Sequence, residues 1–590
     1  MPRTRTGERL RPLVTLAPSA PRLPGAFKAG LTVGLCLSVP YLLGRFELGL
    51  LTVTGTFAVL YASAAPLRRR AVTVAGIGLG LVASTSLGAF TAGSTFAFAC
   101  AAVLLAMVSA GLCLALRVGP PGSYFLVLCA GIANLLVREH GTEPALIPAM
   151  TAVGVVVAWL VTMCELLPDP RRPERKAVEA ARAAVASYVA TEPGPDGRPQ
   201  HRAAAHALAA AEEAMAEGMW RPSRALAAEL EAAHDQFTER AARASLHIVP
   251  GEETAWDPRN PDAGRWLTGD PGGADVEMPT GESAERVEHA LAEDERQTIG
   301  SLRRRLVDGL RWPGEPWSVA ASVGVATAVS IVVLTLLAGA DQPHLYWVIA
   351  FSALVLHQGG PRVARTYRAL HRLLGTVVGL ALFLLVVTLH PTGWWLIGLI
   401  VLLQFTIELL VTRNYGLAVA LITPLALLIA SGGNVPQQPL PLVGERLLDT
   451  VIGVVVALVV LWGFGTRAHH RAVRGDTRRA VAALAAFARG DAPTRHEPTV
   501  ASTLRDLHTS TSLLVADGHQ DSPEARTAEA VTHAGFLMLG TRDRRTVAAS
   551  APRWTEAERL RLPSGWRQID DDDVDIRLRQ LCAHMGAAHD

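Results

Sequence analysis

The feature that most constrains the fold is the grouping of apolar residues into long blocks without a charged side chain. Two of these blocks run from 71 to 116 and from 373 to 403, and neither contains Asp, Glu, Lys or Arg. A stretch of about 20 apolar residues can cross the hydrocarbon core of a bilayer as a helix. Half of the 590 residues are hydrophobic and 18% are charged. This composition does not fit a disordered chain or a soluble multidomain enzyme, and it predicts an all-α membrane protein.

The apolar segments form two groups of six. The first group covers 26–43, 48–66, 71–92, 94–116, 121–137 and 145–167, and the second covers 317–338, 345–358, 373–390, 393–411, 416–431 and 443–464. We therefore predict about twelve spans in two parallel six-helix transmembrane repeats. The interface between the repeats is the expected substrate pathway.

Composition also divides the chain into five regions. We predict a cytoplasmic N-terminal segment over 1–25, a first transmembrane repeat over 26–167, a cytoplasmic helical insert over 168–301, a second repeat over 302–466 and a cytoplasmic helical C-terminal region over 467–590. The insert is rich in Ala, Glu and Arg, which favour helices.

The placement of basic residues predicts the orientation, because short loops rich in Arg and Lys stay in the cytoplasm. Basic clusters lie at 3–28, 68–70, 117, 171–176, 303–305, 362–372, 413 and from 467 onward. All of them fall on one side if the chain begins in the cytoplasm. We therefore predict a multi-pass protein of the plasma (inner) membrane with both termini in the cytoplasm.

The sequence contains no motif typical of an enzyme or of a cofactor site. Gly76, Gly78 and Gly80 form a glycine-rich stretch, but no basic residue follows them as a phosphate loop requires. They predict a helix face of small residues instead. We expect a protein that is not an enzyme and uses no metal or other cofactor. With 55 basic and 53 acidic residues, its charge gives no reason to expect a nucleic-acid partner.

Several short motifs of the second half occur together in one known family. They are Tyr346-Trp347, Arg372 with Gly375, Thr376 and Gly379, Arg413-Asn414-Tyr415, Thr423-Pro424, and Glu445-Arg446 with Asp449 and Thr450. Together and in this order they resemble the fusaric-acid-resistance-like (FUSC) family of integral membrane transporters, which is related to aromatic acid exporters. The first half resembles a diverged copy that lacks most of these motifs.

The resemblance implies secondary transport that exports small organic anions similar to aromatic carboxylates. The alternatives are a membrane-anchored structural protein of envelope assembly and an anion channel. The implied partners are the anion and membrane lipids, and both a homo-oligomer and an envelope partner protein remain open. A polar, arginine-bearing cavity between the halves would favour transport, whereas a wholly apolar interface would favour an anchor.

Eleven residues are candidates for the substrate pathway. They are Arg372, Gly375, Thr376, Gly379, Glu408, Arg413, Tyr415, Thr423, Pro424, Arg446 and Asp449. Arg372 ends a helical stripe that begins with Arg362, Arg365 and Arg368. The stripe either collects anions or only sets the topology and binds lipid phosphates. Arg372 stands out because it lies beside small residues that let helices approach closely.

The remaining candidates each have a structural alternative. Glu408 either couples protons or pairs with Arg413 at the membrane interface. Arg446 and Asp449, three residues apart, either contribute to the pathway or form a local ion pair.

Pro424 interrupts the hydrogen bonding of its helix, and Thr423 is expected to bond a freed carbonyl, in a kink that serves packing or substrate binding. Four aromatic residues are predicted to form a belt at the membrane surface. They are Tyr346, Trp347, Trp394 and Trp395.

Overall fold

The computed structural model describes residues 22–191, 198–218, 223–246, 306, 315–339, 345–431, 439–464, 468–489, 497–519, 522, 524–525, 528–529 and 531–532. Within these residues every regular element is a helix, which confirms the all-α prediction. The chain divides into two compact units. One contains Met1–Pro173 and Leu302–Ala468 and is called the membrane unit here, and the other contains Glu174–Ser301 and His469–Asp590.

The described residues form seventeen α-helices. Six helices come first: α1 (Leu23–Leu42), α2 (Phe46–Thr56, followed by a 3-10 turn over Phe57–Leu60), α3 (Leu67–Phe90), α4 (Thr95–Ala115), α5 (Tyr124–His140) and α6 (Leu146–Cys164). Three polar helices follow: α7 (Arg172–Ala190), α8 (Arg198–Ala216) and α9 (Arg224–Leu246). A second set of six comprises α10 (Glu315–Ala338), α11 (Leu345–Leu356), α12 (Arg362–Leu389), α13 (Gly393–Leu410), α14 (Tyr415–Ala430) and α15 (Pro439–Phe464). The last two are α16 (Ala468–Arg489) and α17 (Glu497–Ala516).

Eight of the described helices are long and apolar enough to cross a membrane, namely α1, α3, α4, α6, α10, α12, α13 and α15. The chain is therefore a multi-pass membrane protein. The other four helices of the membrane unit are α2, α5, α11 and α14, with 11, 17, 12 and 16 residues. At 1.5 Å per residue, α11 is about 18 Å long, whereas the hydrocarbon core is about 30 Å thick. Helix length alone thus does not confirm twelve spans.

The short helices lie in the interior of the membrane unit. All 12 residues of α11 are buried, whereas the long helices expose large apolar side chains such as Leu79, Phe96 and Leu336. Small residues such as Ala106 and Ala326 lie on the inner faces of those long helices. Large apolar residues outside and small residues inside are typical of helices that pack within lipid.

The two sets of six helices pack in the same pattern. The second helix packs on the sixth in both sets, as α2 on α6 and α11 on α15. The third packs on the fifth, as α3 on α5 and α12 on α14. The first helix of each set packs on the fourth helix of the other, as α1 on α13 and α10 on α4. These two contacts, α1 with α13 and α10 with α4, form two interfaces between the sets.

Glycines allow the closest of these crossings. A Cβ atom at Gly154 in α6 would collide with the carbonyl oxygen of Thr52 in α2. A Cβ atom at Gly453 in α15 would lie 3.1 Å from the carbonyl oxygen of Val348 in α11. Both positions therefore need glycine so that the backbones can approach each other.

The second unit has a hydrophobic core of its own. Helices α7, α8, α9, α16 and α17 each bury an apolar face, with Val185, Leu208, Phe237, Val473 and Leu504 at its centre. Burial of one apolar face per helix is the pattern of a helical bundle.

Candidate functional site

Two arginines are buried in the interior of the membrane unit. Arg372 lies in α12 and Arg446 in α15, two helices that pack against each other. Each side chain is only about 1% exposed, and the two cations interact electrostatically. An arginine at the centre of a membrane helix costs about 2.5 to 3.5 kcal/mol on insertion scales. Two such residues side by side therefore call for a functional explanation.

Aromatic rings of α11 hold both guanidinium groups. The Cζ atom of Arg446 lies 3.1 Å from the ring centroid of Trp347 and 4.4 Å from that of Phe351. The Cζ atom of Arg372 lies 4.5 Å from the Phe351 centroid. The rings of Trp347 and Phe351 are themselves stacked at 5.7 Å. A desolvated cation over an aromatic ring gains about 2 kcal/mol, so α11 stabilises the charges without using their N–H groups.

The N–H groups of the two arginines have few hydrogen-bond partners among the described residues. None of the three guanidinium nitrogens of Arg446 has a hydrogen-bond partner among the described residues, and within the same residues Arg372 has the Tyr415 hydroxyl within hydrogen-bonding reach. The Asp449 Oδ2 atom likewise lacks a partner within the described part of the chain. Of the two alternatives for Arg446 and Asp449, the close ion pair is therefore wrong, because the guanidinium is turned onto Trp347 instead.

The charges of this cluster favour an anion. Arg372 and Arg446 carry two positive charges, and Asp449 is the one carboxylate that interacts with Arg446. A buried donor without a partner costs about 1 to 3 kcal/mol, and more when it is charged. A carboxylate can accept two parallel N–H bonds from one guanidinium and would remove that cost.

Hydroxyl groups surround the two arginines. The hydroxyls of Tyr124, Tyr346 and Thr376 have no hydrogen-bond partner in the described ranges. Tyr124 and Tyr346 interact electrostatically with Arg446. Tyr415 interacts with Arg372. Tyr124 lies in α5, so the first set of helices contributes a polar group to this site, which the sequence reasoning missed.

The loop before α5 is held in place by two buried polar side chains. The Tyr61 hydroxyl donates to the Gly122 carbonyl at 2.6 Å, and the His357 ring places Nε2 2.9 Å from the Pro121 carbonyl oxygen. Burial, helped by the nearby Arg368 cation, lowers the pKa of His357 to about 4, although the Pro121 carbonyl opposes this shift. The ring Nδ1 atom lies 2.9 Å from the Leu354 carbonyl oxygen, so His357 bridges the end of α11 and the Pro121 carbonyl before α5.

Beside Arg372, two glycines of α12 allow α14 to pack closely against α12. A Cβ atom at Gly375 would lie 2.5 Å from the carbonyl oxygen of Gly416, and one at Gly379 would lie 2.7 Å from that of Ala420. The small-residue surface beside Arg372 is thus a helix contact. The two glycines position the arginine, and Thr376 between them contributes its hydroxyl.

The proline of α14 does not break the helix, which continues from Tyr415 to Ala430. Pro424 frees the carbonyl of Ala420, four residues earlier. Thr423 instead donates to the carbonyl of Val419 at 3.0 Å. The expectation that Thr423 bonds the freed carbonyl is therefore wrong.

The arginine stripe that leads to Arg372 lies largely against protein. Arg362 and Arg365 are buried and Arg368 is half-buried. Arg362 packs over the ring of Trp462, with 5.4 Å from Cζ to the centroid. The Nη1 atom of Arg368 has no partner in the part of the chain that the structure describes. A stripe that only bound lipid phosphates would be exposed along its length, so this packing favours a role inside the protein.

Glu408 does not pair with Arg413. Its nearest cation among the described residues is Arg22, with 3.9 Å between Nη1 and Oε2, and Arg413 is exposed. Lys28 also interacts electrostatically with Glu408. The pairing proposed from the sequence is thus wrong, since α1, and not the loop after α13, supplies the positive charges.

The sequence reasoning also missed a second cluster of charges near the same end of α1. Lys28 and Arg70 share one carboxylate oxygen of Glu165, at 3.1 and 2.8 Å. Burial acts to raise the pKa of Glu165, but the two cations outweigh it and hold this pKa below its usual value. This cluster is internally paired, unlike the one around Arg446.

Tyr346 and Trp347 do not belong to an aromatic belt. They are only 2% and 1% exposed, whereas Trp394 and Trp395 are 51% and 80% exposed on the outside of α13. The signal that could have shown this is the length of Leu345–Leu356, because an all-apolar helix too short for a span is a buried helix.

Comparison with known proteins supports the recognition made from the motifs. Residues 319–460 match the family described as "Fusaric acid resistance protein-like". The uncharacterized membrane protein YvaC of Bacillus subtilis is 33% identical over 137 residues, which cover 22% of this chain and 22% of that protein. The match thus spans about a fifth of the length of this relative. No solved structure matches the chain. The part of the chain that is similar to the fusaric acid resistance protein-like family is thus the second set of helices, which contains Arg372 and Arg446.

Proposed function

We propose that this protein is a secondary transporter that exports small organic anions, similar to aromatic carboxylates, and leaves them chemically unchanged. The observation that carries this proposal is the buried pair Arg372 and Arg446, since among the described residues Arg446 has no hydrogen-bond partner and Arg372 has the Tyr415 hydroxyl alone. A structural anchor would gain nothing from two such cations, because replacing buried charges by apolar residues is often neutral or stabilising.

The geometry explains how the arginines would bind an anion. The guanidinium group is planar, and its five N–H bonds lie in its plane. The rings of Trp347 and Phe351 cover the faces of the groups and leave the edges for a ligand. A carboxylate that accepts from Arg446 and Arg372 would be held by charge-assisted bonds, each contributing about 1.5 to 3 kcal/mol. The apolar part of the anion would contact the aromatic side chains.

Release of the anion needs a competing partner for the arginines. Asp449 lies one helical turn from Arg446, and its Oδ2 atom has no partner among the residues described. Transport requires a binding site that is strong enough to fill and weak enough to empty. We propose that Asp449 weakens the hold of Arg446 on the anion and receives its guanidinium once the anion leaves.

The arginine stripe of α12 would deliver anions to this site. Arg362, Arg365 and Arg368 precede Arg372 at helical spacing, and they begin at the basic end of α12. On this proposal the anion enters from the cytoplasm along the stripe. Tyr415 and the α14 turn that contains Thr423 and Pro424 then form the side of the pathway opposite α15.

We further propose that all twelve helices cross the membrane as two parallel repeats, with both termini in the cytoplasm. The shared packing pattern of the two sets supports this arrangement. The short helices α2, α5, α11 and α14 are shielded from lipid by the longer ones. Non-helical backbone at membrane depth is tolerated where protein surrounds it, so a helix of 12 residues can still belong to a crossing.

The test is uptake of radiolabelled benzoate into proteoliposomes that contain the purified protein. We expect Arg372→Gln and Arg446→Gln to lower the initial rate at least tenfold, because each removes a charge-assisted bond. Arg45→Gln, at an exposed arginine that is not a pathway candidate, is the matched control and should transport like the wild type. Equal rates for all four proteins at equal reconstitution would refute the role of the pair.

The same vesicles separate the alternative functions. A carrier exchanges anions, so unlabelled benzoate inside the vesicles should accelerate uptake of the label. A channel would show no acceleration, and a structural anchor would move no label at all.

A further inference from the structure

Two helix pairs of the membrane unit share the same internal contacts. In both α2–α6 and α11–α15, a glycine of the sixth helix faces a carbonyl of the second, Gly154 facing Thr52 and Gly453 facing Val348. Gly154 is thus equivalent to Gly453, and Thr52 is equivalent to Val348, which aligns the two helix pairs residue by residue.

A threonine three residues before each glycine confirms the alignment. Thr151 donates to the carbonyl of Ile147 at 2.9 Å, and Thr450 donates to the carbonyl of Arg446 at 2.8 Å. Ile147 therefore occupies in α6 the position that Arg446 occupies in α15. Both lie seven residues before the glycine, since 154 − 147 equals 453 − 446.

The other residues of the cluster have apolar counterparts as well. By the same alignment Met150 matches Asp449, and Leu51, the residue before Thr52, matches Trp347. Ile147 and Leu51 are buried and Met150 is partly buried in one apolar cluster.

Arg372 can be aligned in the same way. A Cβ atom at Gly379 in α12 would meet the carbonyl of Ala420, and one at Gly88 in α3 would collide with that of Ala130. Seven residues before these glycines lie Arg372 and Leu81, and Leu81 is completely buried.

We infer that the chain holds one anion site, formed by the second set of helices, and that the equivalent position in the first set is closed by Leu51, Leu81, Ile147 and Met150. This inference rests on the proposed anion site and adds its stoichiometry. None of the four side chains has an N–H or O–H group. A carboxylate placed among them would be an unpaired buried charge, which a protein interior does not tolerate. The two sets of helices would therefore have different roles: the second set binds the anion, and the first set packs against it without binding one.

The first set still reaches the single site through Tyr124. Its hydroxyl, which has no partner among the described residues, lies within electrostatic reach of Arg446. Binding at one site can thus involve both sets of helices, without a second anion.

The experiment is isothermal titration of the detergent-purified full chain with benzoate. We expect one benzoate per chain in the wild type and at least 100-fold weaker binding in Arg446→Gln. Ile147→Leu is the matched control at the equivalent position, and it should keep one site with unchanged affinity. The wild-type stoichiometry is informative even if a variant fails to fold.

The possible results separate the two proposals. Two benzoates per chain in the wild type, of which one remains in a folded Arg446→Gln protein, would overturn the single-site inference and leave the anion site standing. One benzoate per chain, bound equally tightly by the wild type and by a folded Arg446→Gln protein, would overturn the anion site, and this inference with it. A folded wild-type protein that binds no benzoate would overturn the anion site, and this inference with it.

Discussion

Replacing Arg446 by methionine should stabilise the protein and abolish anion binding. The change removes three buried guanidinium nitrogens that have no partner among the described residues. Each such donor costs about 1 to 3 kcal/mol. It also removes two contacts with aromatic rings, each contributing about 2 kcal/mol when desolvated. The three donors together cost about 3 to 9 kcal/mol and the two ring contacts return about 4 kcal/mol, so the net change centres on a gain of about 2 kcal/mol.

Arg70 provides the matched control, because it is equally buried but fully bonded. It donates to Glu165 Oε2 at 2.8 Å, to the Ala65 carbonyl at 3.3 Å and to the Ser63 carbonyl. Arg70→Met leaves these acceptors with fewer donors, so we expect a loss of about 3 kcal/mol.

The assay is thermal unfolding of both variants in detergent, followed by intrinsic fluorescence, together with benzoate titration. Arg446→Met should unfold a few degrees above the wild type and bind no benzoate, whereas Arg70→Met should unfold below it. If Arg446→Met is destabilised as strongly as Arg70→Met, the Arg446 guanidinium has protein partners and no room for an anion, and the reasoning fails.

Three further predictions concern packing, pH and topology. Gly379→Val should sharply reduce the yield of folded protein in size-exclusion chromatography, since even its Cβ would lie 2.6 Å from the Thr423 Cβ, whereas Gly398→Ala, in open space, should not. The pKa of His357 is lowered to about 4 by burial. The stability that its neutral ring confers is therefore complete above its unfolded pKa of about 6.5 and is lost as the pH falls from 6.5 towards 4. Unfolding temperatures should drop across this window more steeply in the wild type than in His357→Asn. A reporter enzyme fused at position 260 should be active in the cytoplasm, and periplasmic activity would contradict the proposed topology.

Apolar length predicted the positions of the eight described helices that are long enough to cross a membrane, because the bilayer imposes this length directly on the sequence. The motif residues Arg372 and Arg446 were also identified correctly as unusual, since charges within apolar segments are costly. Apolar length and the presence of a charge within an apolar segment can both be read from the sequence without knowledge of the helix packing.

The surroundings of these arginines could not be predicted in the same way. A run such as Leu345–Leu356 is equally apolar whether it faces lipid or protein, so the burial of Trp347 depends on its neighbours in space. The spacing of Arg446 and Asp449 permits an ion pair, but the position of an indole ring from another helix decides the rotamer. Tyr124 reaches the site from a different set of helices, at a separation that no local pattern reveals.

The guanidinium that lies over Trp347 gives the protein a built-in optical reporter. Indole emission responds to a nearby positive charge, and here that charge is 3.1 Å from the ring centroid. An anion that draws Arg446 away from the ring, or neutralises it in place, changes the electric field that the indole experiences. The chain has 12 tryptophans, so the signal is the difference between emission spectra of the wild type and a Trp347→Phe protein. Occupancy of the proposed site can then be followed in real time and without a label, in the vesicles used for the transport assay.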